Sequence, residues 1–138
     1  MANRWLNQFR YSFEKRLVNP IIRFAAGASG APTLDATNSK GIYSITRDGA
    51  VAGKYTVQFG SAQNAVKVPD VYVKFLGLEA TNVYTSITTV CNVCVLSDTT
   101  ATDGKLIFQC TDYAGVAVDP ASGEVMIVQF TFKDSTAP

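Results

Sequence analysis

Histidine is absent from these 138 residues. Its absence removes Ser-His-Asp and Cys-His nucleophile machinery, along with every imidazole-based metal set. Paired carboxylates are the acid–base chemistry that survives, and a glycosidase-type pair must face each other across a cleft. Here the acids stand among turn-forming residues instead. Asp98 and Asp103 flank a Thr-rich stretch ending in Gly104, and Asp112, Asp119 and Glu124 share one long loop. Such acids read as turn formers, so no catalytic residue is assigned. Cysteine is scarce and odd in number: Cys91, Cys94 and Cys110. With no export signal, that count argues against a disulfide framework. On a strand, Cys91 and Cys94 point to opposite faces, and a single further cysteine leaves a zinc site short of ligands. All three read as small buried hydrophobes. Residues 98–104 lack the spacing of a calcium loop, and Gly27-Ala-Ser-Gly30 lacks the lysine of a phosphate loop. No metal and no cofactor are therefore expected. No apolar run reaches the ~18–20 residues of a membrane span. Arg10, Glu14, Lys15 and Arg16 interrupt the place of a secretory h-region, so the expected compartment is a cytoplasm.

What the chain does have is an uneven distribution of charge and aromatics. Residues 1–24 hold Trp5, Phe9, Tyr11, Phe13 and Phe24 together with Arg4, Arg10, Lys15, Arg16 and Arg23, against the single acid Glu14. That segment carries +4 and the remainder −3, so the total of +1 conceals a basic, aromatic arm on an acidic body. Trp5, Phe9, Phe13 and Leu17 recur at i, i+4 with Leu6 alongside, which suits an amphipathic helix. Pro20 would stop it and leave residues 17–24 extended. A helix of about 14 residues is marginal alone in water, so the arm is expected to order against a partner. Packing back onto its own domain as a first strand is the alternative. The run Ala25-Ala26-Gly27-Ala28-Ser29-Gly30-Ala31-Pro32 reads as flexible linker. The expected division is an arm at 1–24, a linker at 25–40 and a body at 41–138.

The body has β character, with apolar alternation between turn signals. Residues 41–47 set Tyr43 and Ile45 against Ser44 and Thr46. Residues 53–59 place Tyr55, Val57 and Phe59 on one face, and the turn-like 48–53 predicts a hairpin between the two. Further strands are expected at 71–78, at 84–96 (one long strand, or two with a bulge near Cys91-Asn92), and at 105–111, where Leu106, Phe108 and Cys110 share a face. Residues 125–133 form the clearest strand, with Met126, Val128, Phe130 and Phe132 inward. The fold class expected is mainly β, an antiparallel sandwich or barrel of about six or seven strands.

Met-Ala-Asn-Arg-Trp-Leu-Asn-Gln-Phe-Arg-Tyr-Ser-Phe-Glu-Lys at 1–15 resembles the opening of small virion structural proteins of tailed bacteriophages. Gly-Ala-Ser-Gly-Ala-Pro-Thr-Leu at 27–34 and Asn-Ser-Lys-Gly-Ile-Tyr-Ser-Ile-Thr-Arg at 38–47 are similar to the same group. So are Gly-Lys-Tyr-Thr-Val at 53–57 and Asp-Tyr-Ala-Gly-Val-Ala-Val-Asp-Pro-Ala-Ser-Gly-Glu at 112–124. Residues 60–107 match the pattern less, and Cys91 and Cys94 are not part of it. The resemblance implies a noncatalytic particle component, a capsid decoration (cement) protein bound to the major capsid protein. It would reside in the virion and be assembled in the host cytoplasm. A tail, collar or head-fibre component is the rival in that class.

The arm residues expected at the partner are Arg4, Trp5, Leu6, Phe9, Arg10, Phe13 and Arg16. Burying four arm aromatics would contribute at most about 15–25 kcal/mol, while ordering roughly 16 backbone residues costs about 16–32 kcal/mol. That near-balance calls for main-chain pairing with a partner edge strand or for several arms acting together, and a homotrimer at a capsid threefold position is the oligomer expected. Interleaved cations and aromatics also suit single-stranded nucleic acid. Five cations are few for that purpose, and no strand carries a basic stripe. A carbohydrate-binding module would want an aromatic platform on the body, and the single Trp lies in the arm.

Overall fold

The computed structural model describes residues 17–60, 74–82 and 92–133. In chain order the strands are β1 (Leu17–Val18), β2 (Ile21–Gly27), β3 (Gly30–Leu34), β4 (Ile42–Arg47), β5 (Lys54–Phe59), β6 (Lys74–Asn82), β7 (Asn92–Thr99), β8 (Lys105–Thr111) and β9 (Val125–Lys133). One turn of helix, α1 (Thr100–Asp103), sits between β7 and β8. All pairings are antiparallel, in two sheets that make a β-sandwich.

Strands β1 and β2 behave as one strand with a single missing rung. Leu17 pairs with Lys133, Val18 with Phe132 and Ile21 with Gln129, all in one register along β9. The rung between them is half-made: the Phe130 N–H donates to the Pro20 carbonyl at 2.9 Å, and proline has no N–H to return. The first sheet is therefore β6, β9, β1/β2, β3 and the second is β4, β5, β8, β7. The β2–β3, β4–β5 and β7–β8 hairpins stay within a sheet, and the remaining connections cross between sheets. Along one flank β3 packs near β4, and along the other β6 packs near β7.

Alternation explains the core. Tyr55, Val57 and Phe59 of β5, Leu106, Phe108 and Cys110 of β8, and Met126, Val128, Phe130 and Phe132 of β9 are all fully buried, on the faces their spacing predicts. Each such side chain contributes about 1.5–3 kcal/mol by leaving water. Two aromatic groups fill the ends. Phe59 meets Phe130 and Phe132 edge-on with ring centroids 5.0 and 4.9 Å apart. Toward the other end, Tyr55 stacks on Phe108 at 5.5 Å with Phe24 against both.

Three expectations change. First, the residues divided between arm and linker are sheet. Ile22, Phe24 and Ala26 of β2 lie in the core, and β3 carries Pro32, so 17–34 belongs to the sandwich. Their period-2 spacing prevails over the charge of Arg23 and the punctuation of Pro20. Second, Tyr43 does not share a face with Ile45. A bulge between Ile42 and Ser44 buries Ile42 and Ile45 and leaves Tyr43 41% exposed. Third, Cys94 is exposed, its thiol 3.7 Å from the Gln109 carbonyl, whereas Cys110 is buried. Strand β7 begins at Asn92 and bulges between Val95 and Ser97. Cys91 and the rest of 83–91 lie outside the described residues, as do 71–73, so β6 is seen from Lys74 onward.

Candidate functional site

Arg4, Trp5, Leu6, Phe9, Arg10, Phe13 and Arg16 all lie outside the described residues. The structure fixes the point at which that segment joins the body. Leu17 lies opposite Lys133 in the register near the end of β9, and Lys133 in turn lies opposite Lys74 at the start of β6. Residues 1–16 thus lead into a two-residue strand that pairs on one side with β9. Positions 133 and 74 follow Leu17 in succession on one side of it across the sheet. Phe24 and Arg23, counted with the arm by composition, are separated from it. Phe24 is in the core, and Arg23 donates through Nη1 to Asp35 at 2.8 Å on the β3 side.

The same end holds α1. Asp98 accepts from the Thr100 N–H at 3.0 Å, and Asp103 accepts from the Lys105 N–H at 3.1 Å. The buried Gln58 amide donates to the Asp103 and Gly104 carbonyls, tying the turn to β5. These two acids hold backbone donors, which is the work expected of turn formers.

At the opposite end one ion pair pins the long β8–β9 loop to the β4–β5 hairpin. Arg47 donates through Nε and Nη2 to the two Asp119 oxygens at 2.7 and 2.6 Å, and the Gly53 N–H adds a third bond at 2.8 Å. Both side chains are largely buried. The Arg47 hydrogen bonds, with Gly53 assisting, hold the Asp119 carboxyl below its ordinary range. The approach is close enough to demand glycine. Gly53 sits at φ +66°, and a Cβ there would lie 2.3 Å from the Val118 carbonyl oxygen and 2.6 Å from that of Cys110. Burial raises the Cys110 thiol to about 12 and pushes the Tyr55 phenol up as well. Cys110 therefore stays a neutral thiol across the physiological range.

Beyond this clamp the loop presents an aromatic side chain that sequence reasoning passed over. Asp112 Oδ1 accepts from the Ala114 and Val116 N–H groups at 2.8 and 2.9 Å, and Gly115 takes a positive φ, which makes a tight turn. Tyr113 stands on it 89% exposed, with Val116 at 58%. The signal was present as an Asp-x-x-Gly turn with an aromatic inside it, but turn chemistry alone does not say which way the ring points.

The two flanks differ. The β3–β4 flank is tied by the Arg23–Asp35 pair and by mutual backbone bonds between Ile21 and Lys40, and Pro32 interrupts its edge. The β6–β7 flank has no proline among its described residues and exposes Leu76, Val95 and Leu96. Among the described residues no three His, Cys, Asp or Glu side chains cluster as metal ligands, and no helix is long and apolar enough to cross a membrane. No family model, no curated protein and no solved structure matches the chain.

Proposed function

We propose that this protein is a noncatalytic structural component of a tailed-phage particle, a capsid decoration protein attached to the major coat protein through residues 1–16. The observation that carries the reading is the rooting of the arm. A segment holding Trp5, Phe9 and Phe13 among cations leads directly into β1, which pairs with β9, a strand that contributes four fully buried side chains to the core. Force on the arm would therefore pass along a ladder rather than through a loop. The resemblance of segments 1–15, 27–34, 38–47 and 112–124 to small virion proteins supports the same assignment.

Because β2 and β3 belong to the sandwich, the tether proposed is residues 1–16 rather than 1–24. Removing 1–16 leaves every described strand intact, so the shortened chain should keep the folding transition of the full protein and lose co-sedimentation with capsids. Retained capsid binding would refute the arm as the anchor. A steep decline of single-stranded nucleic-acid affinity with salt, approaching about 0.7 log units per phosphate neutralised, would instead favour nucleic acid as the partner.

A further inference from the structure

We infer that the β6 edge is a self-complementary contact between two copies of this chain, with Leu76 of each seated over Gly77 of the other. The inference is independent of what the arm binds. It begins from a bulge. Against β9, Lys74 and Phe75 pair with Lys133 and Phe132, and the register then shifts so that Gly77, Leu78 and Glu79 pair with Thr131, Phe130 and Gln129. Leu76 is the extra residue, 52% exposed. Edge strands are normally blunted by a lysine, a proline or a bulge that turns the edge away. Here the bulge instead displays a leucine.

The inserted residue has a consequence for pairing. Because Phe75 and Leu78 both lie opposite core-facing residues of β9, they stand in the same phase of the pleat, although they are three apart in sequence. An antiparallel two-fold pairing of β6 with a second β6 can then set Phe75 opposite Leu78 and residue 74, a lysine, opposite Glu79, twice over. Faces and hydrogen-bonding directions agree in both pairs. Without the bulge this register would turn every side chain to the wrong face.

At the centre of that register Leu76 lies opposite Gly77 of the second copy. Space exists for it. A groove of about 340 Å³ on the outer face is lined by Leu76, Gly77, Leu78, Glu79, Gln129 and Thr131. A Cβ built on Gly77 meets nothing within 4 Å. Knob and hole adjoin on one strand, which is what an isologous contact requires. The neighbouring layer supports the same face. Val95 of β7 lies opposite Phe108 and so points toward the core, yet it is 38% exposed, and the β7 bulge adds Leu96 at 48%. β7 and α1 approach β6 along this flank, and the apolar surface that Val95 and Leu96 leave exposed there is what a second copy would cover. Main-chain pairing would supply affinity and Leu76 the register.

Light scattering and sedimentation of the full chain across the micromolar range test this. The wild type should be a dimer. Leu76→Lys should weaken dimerisation about tenfold or more. Gly77→Thr should do the same while leaving the monomer's thermal transition in place, since its side chain enters open space on a backbone that is not left-handed. A monomer or a trimer in place of the dimer, or a dimer indifferent to both Leu76→Lys and Gly77→Thr, would each overturn the assignment.

Discussion

The role of Asp119 is set by its surroundings. Its two oxygens receive Arg47, and one also receives the Gly53 N–H, so a single carboxylate joins β4, the β4–β5 turn and the β8–β9 loop. Replacing it with Asn leaves the Arg47 guanidinium buried without its counter-charge. Asp119→Asn should therefore lower stability by about 2–4 kcal/mol, read from chemical denaturation at neutral pH. Its pH dependence has a definite sign. A carboxyl whose folded value is depressed stabilises the fold above its unfolded pKa of about 3.9, and that contribution disappears as pH falls through the lower folded value. Wild type should lose stability below about pH 4 more steeply than the Asn variant. Parallel acid-unfolding curves would show that the pair does not act this way.

At the scale of elements, β2 is the strand on which sequence and structure part most sharply. It bridges β9 and β3 and contributes Ile22 and Phe24, both fully buried. Deleting residues 1–24 would remove β1 and most of β2. Loss of a buried Phe costs about 3–5 kcal/mol and of a buried Ile about 2–5 kcal/mol, against a typical domain stability of about 5–15 kcal/mol. A chain starting at residue 25 should be unfolded by circular dichroism, whereas one starting at 17 should be folded. A cooperative transition in the shorter chain would mean that β9 can dispense with its partner. The bulges in β4, β6 and β7 act at this scale too: each inserts one residue and reverses the faces of the residues beyond it.

For the whole molecule, the two proposals combine geometrically. An antiparallel β6 contact centred near Leu76 would put the two arm roots close to the same two-fold axis, because Leu17, Lys133 and Lys74 lie side by side in the register. Two arms on one dimer would bind a multivalent surface with a high effective concentration for the second. Leu76→Lys, with its arm untouched, should then lose apparent affinity for capsids in parallel with its loss of dimer, measured by co-sedimentation at increasing dilution. Capsid affinity that is unchanged in a monomeric variant would show that each arm acts alone. The threefold grouping expected from the near-balance of arm burial and ordering is the rival arrangement, and sedimentation of the full chain separates the two.

Much of the sandwich was legible from local pattern. The inward faces of β5, β8 and β9 come from strict alternation, and the hairpin before β5 from its Asp-Gly turn, because side-chain direction in a strand has period 2 wherever no residue is inserted. The acids of α1 and of the Asp112 turn were legible as turn formers for the same local reason. Tyr43, Leu76 and Leu96 were not, since a bulge is chosen by the partner strand's register and leaves little mark on its own sequence. Nor was the place of β2. Its alternation of Ile22, Phe24 and Ala26 was in view, but the strand that pairs with it, β9, lies about a hundred residues away. Composition alone settled the absence of imidazole chemistry and the uneven charge. Only the tertiary structure decided that residues 17–34 belong to the sandwich, because their place is set by pairing between the first and last strands, a contact between residues distant in the chain.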